Sequence, residues 1–378
     1  MGFVVHFQAP GSIVAYYQQV GRAGRAVDKA FGILLAGTED ADIQDHFIEV
    51  AFPPRDQAEA VVELLAAAAA PVRMSEIQSR VNVRRSRLEA MLKILEVEGA
   101  VERTAAGWLR TLGSWEYDAE RVERVTAQRR AEQRAVAEYV TTGRCLMQFL
   151  GEQLDDPHAA PCGRCSRCTG QALPAAVANE VVAAAVEHLR WQTLDIAPRQ
   201  QWPTGLAGVS GRIPVGSRAE PGRALSIFGD AGWGRLVRAG KLHHGRFDDA
   251  LVGAVEELRR RWRPRPEPAW VTCVPSLRRP DLVPDFAERV ADRLGLPFRP
   301  IVAKVREGRP QKDMENSQQQ AANVIGAFAL TGPPPTTPVL LVDDIVDSRW
   351  TLTVVAVLLR EAASGRVHPL ALSTATPR

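Results

Sequence analysis

The 378-residue chain lacks most of the marks of a specialised class. No 18 apolar residues run together, and the opening MGFVVHFQAP has no basic segment ahead of an apolar one. Neither a membrane-spanning helix nor a secretory leader is therefore expected, and the predicted location is the cytoplasm. Cysteine is scarce, at five residues, which excludes a disulfide framework as the source of stability. Lysine is scarce relative to its partner: five of 47 basic residues, the rest being arginine, so an arginine cluster is weak evidence on its own. Excess charge is missing too. A net charge of +3 does not by itself call for nucleic acid, although the residues up to Gly170 carry 20 basic against 23 acidic groups and the remainder 27 against 21. What the chain has is apolar content, 46% hydrophobic against 24% charged, which excludes disorder and gives room for two or three globular domains.

The hydrophobic pattern predicts a multidomain α/β and α protein. A short apolar strand ends at Pro10, Ser12 caps a helix running to about Arg25, and residues 31–35 form a second strand. Pro53 and Pro54 mark a boundary. Beyond it, Ala60, Val61, Leu64 and Leu65 repeat at helical spacing, further helices cover 75–81 and 86–98, and Gly99 ends the last. Residues 101–112, with Gly107 in the middle, read as a hairpin, so 55–113 has the outline of a winged helix-turn-helix. A charged amphipathic helix covers 117–140 and another 175–190. The stretch 198–245 is rich in glycine and proline and has no legible fold. The last third alternates apolar strands, at 270–274, 298–305, 339–342 and 367–371, with helices, the pattern of an α/β layer domain.

Four of the five cysteines, Cys145, Cys162, Cys165 and Cys168, are spaced by 17, 3 and 3 residues. In a reducing compartment such thiols seek a metal rather than each other, and C-x2-C spacing lets two thiolates converge from one turn on a tetrahedral Zn2+. Four protein ligands leave no open position for water, so the zinc is expected to be structural. The net charge of about −2 on such a centre could be offset by Arg144, Arg164 and Arg167. Cys273, in an apolar strand, reads as core.

The string YYQQVGRAGR holds Gln18, Gly21, Arg22, Gly24 and Arg25. Two arginines three apart at a helix end, with glycines permitting close approach to an anion, suit a developing phosphate charge. A surface arginine turn fits these residues equally well. With His6, Pro10, Ser12 and the paired Tyr16 and Tyr17 upstream, the stretch resembles the last motif of superfamily two helicases in its RecQ form, and the cysteine spacing resembles the RecQ zinc subdomain. The resemblance implies a bacterial RecQ-like ATP-dependent DNA helicase, a hydrolase that travels 3′ to 5′ on DNA in repair and recombination and is nucleoid-associated. Residues matching Arg22 and Arg25, with Gln18 in the same motif, would reach across the cleft between two RecA-like lobes to the phosphates of ATP, Arg25 being the finger. ATP and Mg2+ are implied as ligands of the full-length protein. However, no G-x-x-x-x-G-K-[ST] string and no acidic Mg2+ motif occurs in the N-terminal part. Residues 1–50 match only the end of the second lobe. The chain is thus expected to be the C-terminal portion of a longer helicase, missing its N-terminal lobes and unable to hydrolyse ATP alone.

In VNVRRSRLEAMLKILEVEGAV, Leu88, Met91, Leu92 and Leu95 form the buried stripe, while Arg84, Arg85 and Arg87 cluster at the helix start, where a recognition helix meets DNA. A winged helix that contacts protein instead fits the same residues. Trp108 could stack on a base or belong to the core. In the commonest RecQ order the winged helix follows the zinc cysteines; here it precedes them, resembling a bacterial RecQ-like branch with a modified C-terminal region.

The segment PVLLVDDIVDSRWTLT joins an apolar strand to Asp343 and Asp344, then a loop opening a helix near Thr351. Adjacent acids can hold ribose hydroxyls or Mg2+, and Ser348 or Thr351 with the loop amides can hold a phosphate. This resembles the phosphoribosyl diphosphate (PRPP) signature of type I phosphoribosyltransferases, and VPSLRRPDLVPDFAERVADRLGLPF with residues 311–328 resembles their ComF-type members. The resemblance makes Val274, Pro275 and Ser276 the diphosphate loop and Asp347 an acid near the leaving group. Arg349 stands where that family has glycine, and would either block the phosphate loop or lend it charge.

The expected domains are therefore a lobe end (1–50), a winged helix (55–113), a helical zinc subdomain (114–172), a connecting region (173–265) and a phosphoribosyltransferase-like domain (266–378). In the connector, Trp202, Trp233, Arg235, Arg238 and Lys241 could line a single-strand path or form a plain linker. The helicase reading leads. A motor-less DNA-binding accessory protein and a PRPP-binding transferase-like protein are the alternatives.

Overall fold

The computed structural model describes all residues except 25, 26, 28, 38, 172–175, 193, 309–313 and 376–378. The chain divides into two compact units. The first takes Met1–Ala70, Glu89–Thr104 and Leu109–Val177; the second takes Pro71–Leu88, Ala105–Trp108 and Ala178–Arg378.

β1 (Phe3–His6) lies parallel to β2 (Phe31–Leu34), Phe3 opposite Phe31 and His6 opposite Leu34. Between them α1 (Ile13–Val20) starts where the Ser12 hydroxyl accepts the Ala15 N–H at 3.2 Å. The helix stops five residues short of Arg25, because Gly24 turns to φ +90° and gives its N–H to Met1 O instead of continuing the ladder. The polar stretch before Pro53 contains α2 (Asp40–Glu49), which the sequence pattern did not indicate. Its Asp40 carboxylate accepts the backbone N–H groups of Ala9 and Gly37.

Next come α3 (Arg55–Ala66), α4 (Met74–Arg80) and α5 (Arg85–Val97), close to their predicted bounds because Leu88, Met91, Leu92 and Leu95 are all 1% exposed or less and fix the face of α5. Strands β3 (Val101–Arg103) and β4 (Trp108–Arg110) pair beyond it. A Cβ at Gly107 would sit 2.5 Å from Val72 O, so only glycine fits there. Then follow α6 (Ala119–Thr141), α7 (Leu146–Glu152) and the four-residue α8 (Ser166–Thr169). The core of this part joins Ile13 and Tyr16 of α1, Val136 and Tyr139 of α6, and Phe149 and Leu150 of α7. Arg130 of α6 pairs with Asp45 of α2.

The second unit continues with α9 (Asn179–Trp191), β5 (Leu194–Ile196), β6 (Gly222–Ile227), α10 (Gly234–Ala239), α11 (Asp249–Trp262), β7 (Trp270–Cys273), α12 (Leu282–Leu294), β8 (Val302–Lys304), α13 (Ser317–Val324), β9 (Phe328–Leu330), β10 (Val339–Val346), α14 (Trp350–Glu361) and β11 (Val367–Thr374). The sheet order is β5-β6-β11-β10-β7, parallel except for β5 at the edge. One face packs Val237, Leu251, Val255, Phe286 and Val290 against Leu340, Val342 and Leu370. The other packs Trp350, Val355 and Leu359 against Val339, Leu341 and Ala371. Burial on both faces explains why PVLLV is apolar without alternation.

Three expectations change. The stretch 173–265 is not a mere connector: it supplies β5, β6, α10 and α11 to this unit. The strand expected over 298–305 shortens to Val302–Lys304 and pairs with β9 outside the main sheet. Asp343 and Asp344 lie within β10 rather than after it, because pairing with β11 continues to Val346.

Candidate functional site

The four clustered cysteines converge. Cys145 caps α7, and its Sγ accepts the N–H of Gln148 at 3.5 Å and of Cys162 at 3.2 Å. Cys162 Sγ accepts the Cys165 N–H at 3.3 Å, in a turn that Gly163 enters at φ +69°. All four Sγ atoms lie within 4.8 Å of one another, and Cys145 and Cys165 are 3.9 Å apart. Zinc–sulfur bonds of about 2.3 Å give a tetrahedron with edges of about 3.8 Å, so the donor set fits that ion.

Protonation tells the same story. Burial works against a thiolate at Cys165, but backbone N–H groups outweigh it and hold the thiol down at about 6. Cys168, hydrogen-bonded to the Cys165 and Cys145 sulfurs, is pushed up to about 11. A divalent cation bound here would displace the proton from Cys168. Two of the three nearby arginines have other partners. Arg144 pairs with Glu152, and Arg167 donates to Val140 O at 3.2 Å. Backbone amides, which carry no sequence signal, face the sulfurs instead. Cys273 is buried in β7 and, pushed up to about 12 by burial, is an inert core thiol.

In the N-terminal motif, Tyr16 anchors α1 against Tyr139 and His6, at ring separations of 5.2 and 5.0 Å. Gln18 and Arg22 are exposed, and Arg25 lies outside the described residues. Gln44 ties down Ala9 O and Pro10 O at 3.1 Å each.

At the start of α5, Arg84 and Arg85 are exposed, whereas Arg87 is half-buried and forms an ion pair with Glu315 at 3.5 Å. Trp108 is buried and exchanges backbone hydrogen bonds with Val72, so it belongs to the core.

The parallel pairing of β7 and β10 brings the residues at 274–276 and the acids of β10 to the same end of the two strands. Burial, then the Asp344 charge, push the Asp343 carboxyl up to about 8. Asp344 Oδ2 accepts Lys241 Nζ at 2.6 Å, a contact between residues 103 apart that no local pattern announced. Lys304 also acts on Asp343, so two of five lysines serve this strand end. Asp347 is exposed, Ser348 buried and Thr351 half-buried.

Part of the loop between β10 and α14 is covered, while Val346, Asp347 and Arg349 line a cavity of about 160 Å³. Arg199 donates twice to Ser348 O, at 3.1 and 2.6 Å, and stacks 4.5 Å from the Trp350 ring centroid. Trp202 stacks on Trp350 at 5.7 Å, so it lines no open path, and Lys241 is turned to Asp344. Arg349 holds the left-handed backbone natural to glycine, φ +69°, and directs Nη1 to Ala197 O at 3.0 Å. Trp233 donates to Arg190 O, while Arg235 and Arg238 remain exposed.

Among the described residues no helix is long and apolar enough to cross a membrane. No protein-family model matches the chain. Among curated proteins, it is similar to the ATP-dependent DNA helicase RecQ of Synechocystis sp. (strain ATCC 27184 / PCC 6803 / Kazusa), 26% identical over 189 residues. The match takes in 44% of this chain and 34% of that protein, so the chain spans about a third of its relative's length.

Proposed function

We propose, from this likeness to a RecQ helicase, that the chain is the C-terminal, DNA-gripping part of a RecQ-like ATP-dependent 3′–5′ DNA helicase acting in repair and recombination. The observation that carries the reading is the convergence of Cys145, Cys162, Cys165 and Cys168 within 4.8 Å. These residues would hold a structural Zn2+, whose chemistry there is to cross-link the turn at 162–168 to the start of α7. Because α7 packs through Phe149 and Leu150 on Tyr139 and Tyr16, the cage would fix α1 as well. Helix α1 then presents Gln18 and the following turn presents Arg22, with Arg25 next in the chain. In the whole helicase these arginines would meet the ATP phosphates, their charge offsetting what develops on the transferred group. Residues 55–113 serve as the winged helix, and Arg84 and Arg85 neutralise DNA phosphates at the start of α5.

The test is the salt dependence of duplex binding. Replacing Arg84 and Arg85 with Ala should flatten the slope of log affinity against log salt by about two, one per phosphate contact; an unchanged slope contradicts DNA contact at this helix. The purified chain alone is expected to show no DNA-stimulated ATPase.

A second reading concerns the α/β unit, supported by the acids of β10 and the loop before α14. Asp343 and Asp344 would accept ribose hydroxyls or hold Mg2+, and Ser348, Thr351 and Asp347 would face the phosphate end of a PRPP-like ligand. Titration with PRPP and Mg2+, repeated after Asp344→Asn, tests it; absence of binding heat removes this reading.

A further inference from the structure

Residues 314–316, just ahead of α13, grip the turn between α4 and α5. The Asn316 side chain is 3% exposed and its amide donates to Gln78 O at 3.0 Å and Val81 O at 3.1 Å. Its Oδ1 at the same time accepts the Gln319 N–H at 2.8 Å and so caps α13. The neighbouring Glu315 N–H goes to Asn82 Oδ1 at 2.8 Å, and the Glu315 carboxylate meets Arg87. Met314 is buried, and its carbonyl accepts the Gln320 amide at 2.7 Å. Nothing in the layer architecture requires these bonds. Two carbonyls of a helix end and one asparagine of a turn are satisfied by a segment more than two hundred residues away, and each bond is specific to that turn.

The charge placement has a consequence. Arg84, Arg85 and Arg87 open one helix, and the one of the three that is half-buried faces a carboxylate. A phosphate oxygen and Glu315 cannot share the Arg87 guanidinium without bringing like charges together. We propose that Glu315 and Asn316 form a latch by which the segment ahead of α13 holds the α4–α5 turn of the same unit, and that nucleic-acid phosphate competes with Glu315 for Arg87. The latch is an autoinhibitory contact, and it rests on the reading of α5 as a DNA-contacting helix. Release would act on α13, because the same Asn316 side chain caps it. It would also reach the loop before α14, because Ser317 Oγ accepts the Trp350 Nε1–H at 2.9 Å. Nucleic acid bound at α5 would thus loosen the segment that seats Trp350.

The experiment measures duplex DNA affinity by fluorescence anisotropy for the full chain and for Glu315→Gln. It also measures hydrogen exchange at residues 317–324 with and without DNA. Loss of the competing carboxylate should tighten binding by about fivefold, the scale of one partly exposed charge pair, and steepen the salt slope by about one. DNA should speed exchange at the Gln319 and Gln320 amides of the unmodified chain, a readout independent of how the variant folds. If Arg84→Ala with Arg85→Ala weakens binding while Glu315→Gln leaves it unchanged and exchange at 317–324 does not respond, the latch is overturned and DNA contact stands. If neither the arginine pair nor Glu315 matters to binding, both fall together.

Discussion

The cysteine tract and the five-stranded sheet reach order by opposite means. Around the cysteines little is buried: α7 contributes Phe149 and Leu150, and α8 buries nothing. In β10 and β11 nearly every residue is buried, and helices cover both faces. A segment with so little apolar surface gains little from packing to set against its ordering entropy, and the proposed zinc would supply the difference; the sheet needs no such help. The stability of the two regions should therefore respond to different perturbations.

The largest separation should come from Cys162→Ser. Zinc binding in comparable small sites is worth about 10–16 kcal/mol, most of it folding energy, and one lost thiolate removes much of that. Amide protection across 142–170 should collapse while β10 and β11 keep theirs; protection retained in both would break the comparison.

The sheet should show a pH dependence that the cysteine tract does not share. The Asp343 carboxyl is raised in the folded chain to about 8 from 3.8, so between those values the folded form holds a proton that the unfolded form has released. That contribution is fully present below the unfolded value and is lost as pH rises through about 8. Sheet stability should fall across this window, and Asp343→Asn should flatten the fall. A denaturation series showing equal pH slopes for both chains would contradict the assignment. The zinc cage should weaken in the opposite direction, as acid protonates the thiolates.

Leu341→Ala, at a fully buried position of β10, should cost the sheet about 2–5 kcal/mol in urea denaturation and leave zinc content unchanged. The smallest effect belongs to Ser12→Ala, which removes the cap of α1 and should cost about 1 kcal/mol. A loss as large as that from Leu341→Ala would mean that α1 carries more than its cap.

The same contrast governs what could be read from the sequence. Cysteine spacing is legible because metal chemistry demands sulfur at short, fixed intervals, and helix α5 because Leu88, Met91, Leu92 and Leu95 repeat within one element. β6 was hidden: its partners are β5 and β11, and it lies among glycines whose role is to turn the chain. Asp230 collects the N–H groups of Ile227, Gly232 and Gly234, and a Cβ at Gly234 would fall 1.9 Å from Ile227 O. The strand was masked by the loop chemistry around it. Lys241 on Asp344, Arg199 on Ser348 O and Asn316 on Gln78 O were illegible because each joins residues more than a hundred positions apart. Arg349 stands out in the sequence where glycine is expected, but the reach of its side chain to Ala197 O, 152 residues away, has no local signal.

The most direct measurement is metal analysis by native mass spectrometry of the purified chain, followed by hydrogen exchange in a strong chelator. One zinc per chain is expected, and on its removal loss of protection at 142–170 with the sheet intact. A chain that carries no zinc, or that keeps its protection at 142–170 after chelation, contradicts this expectation.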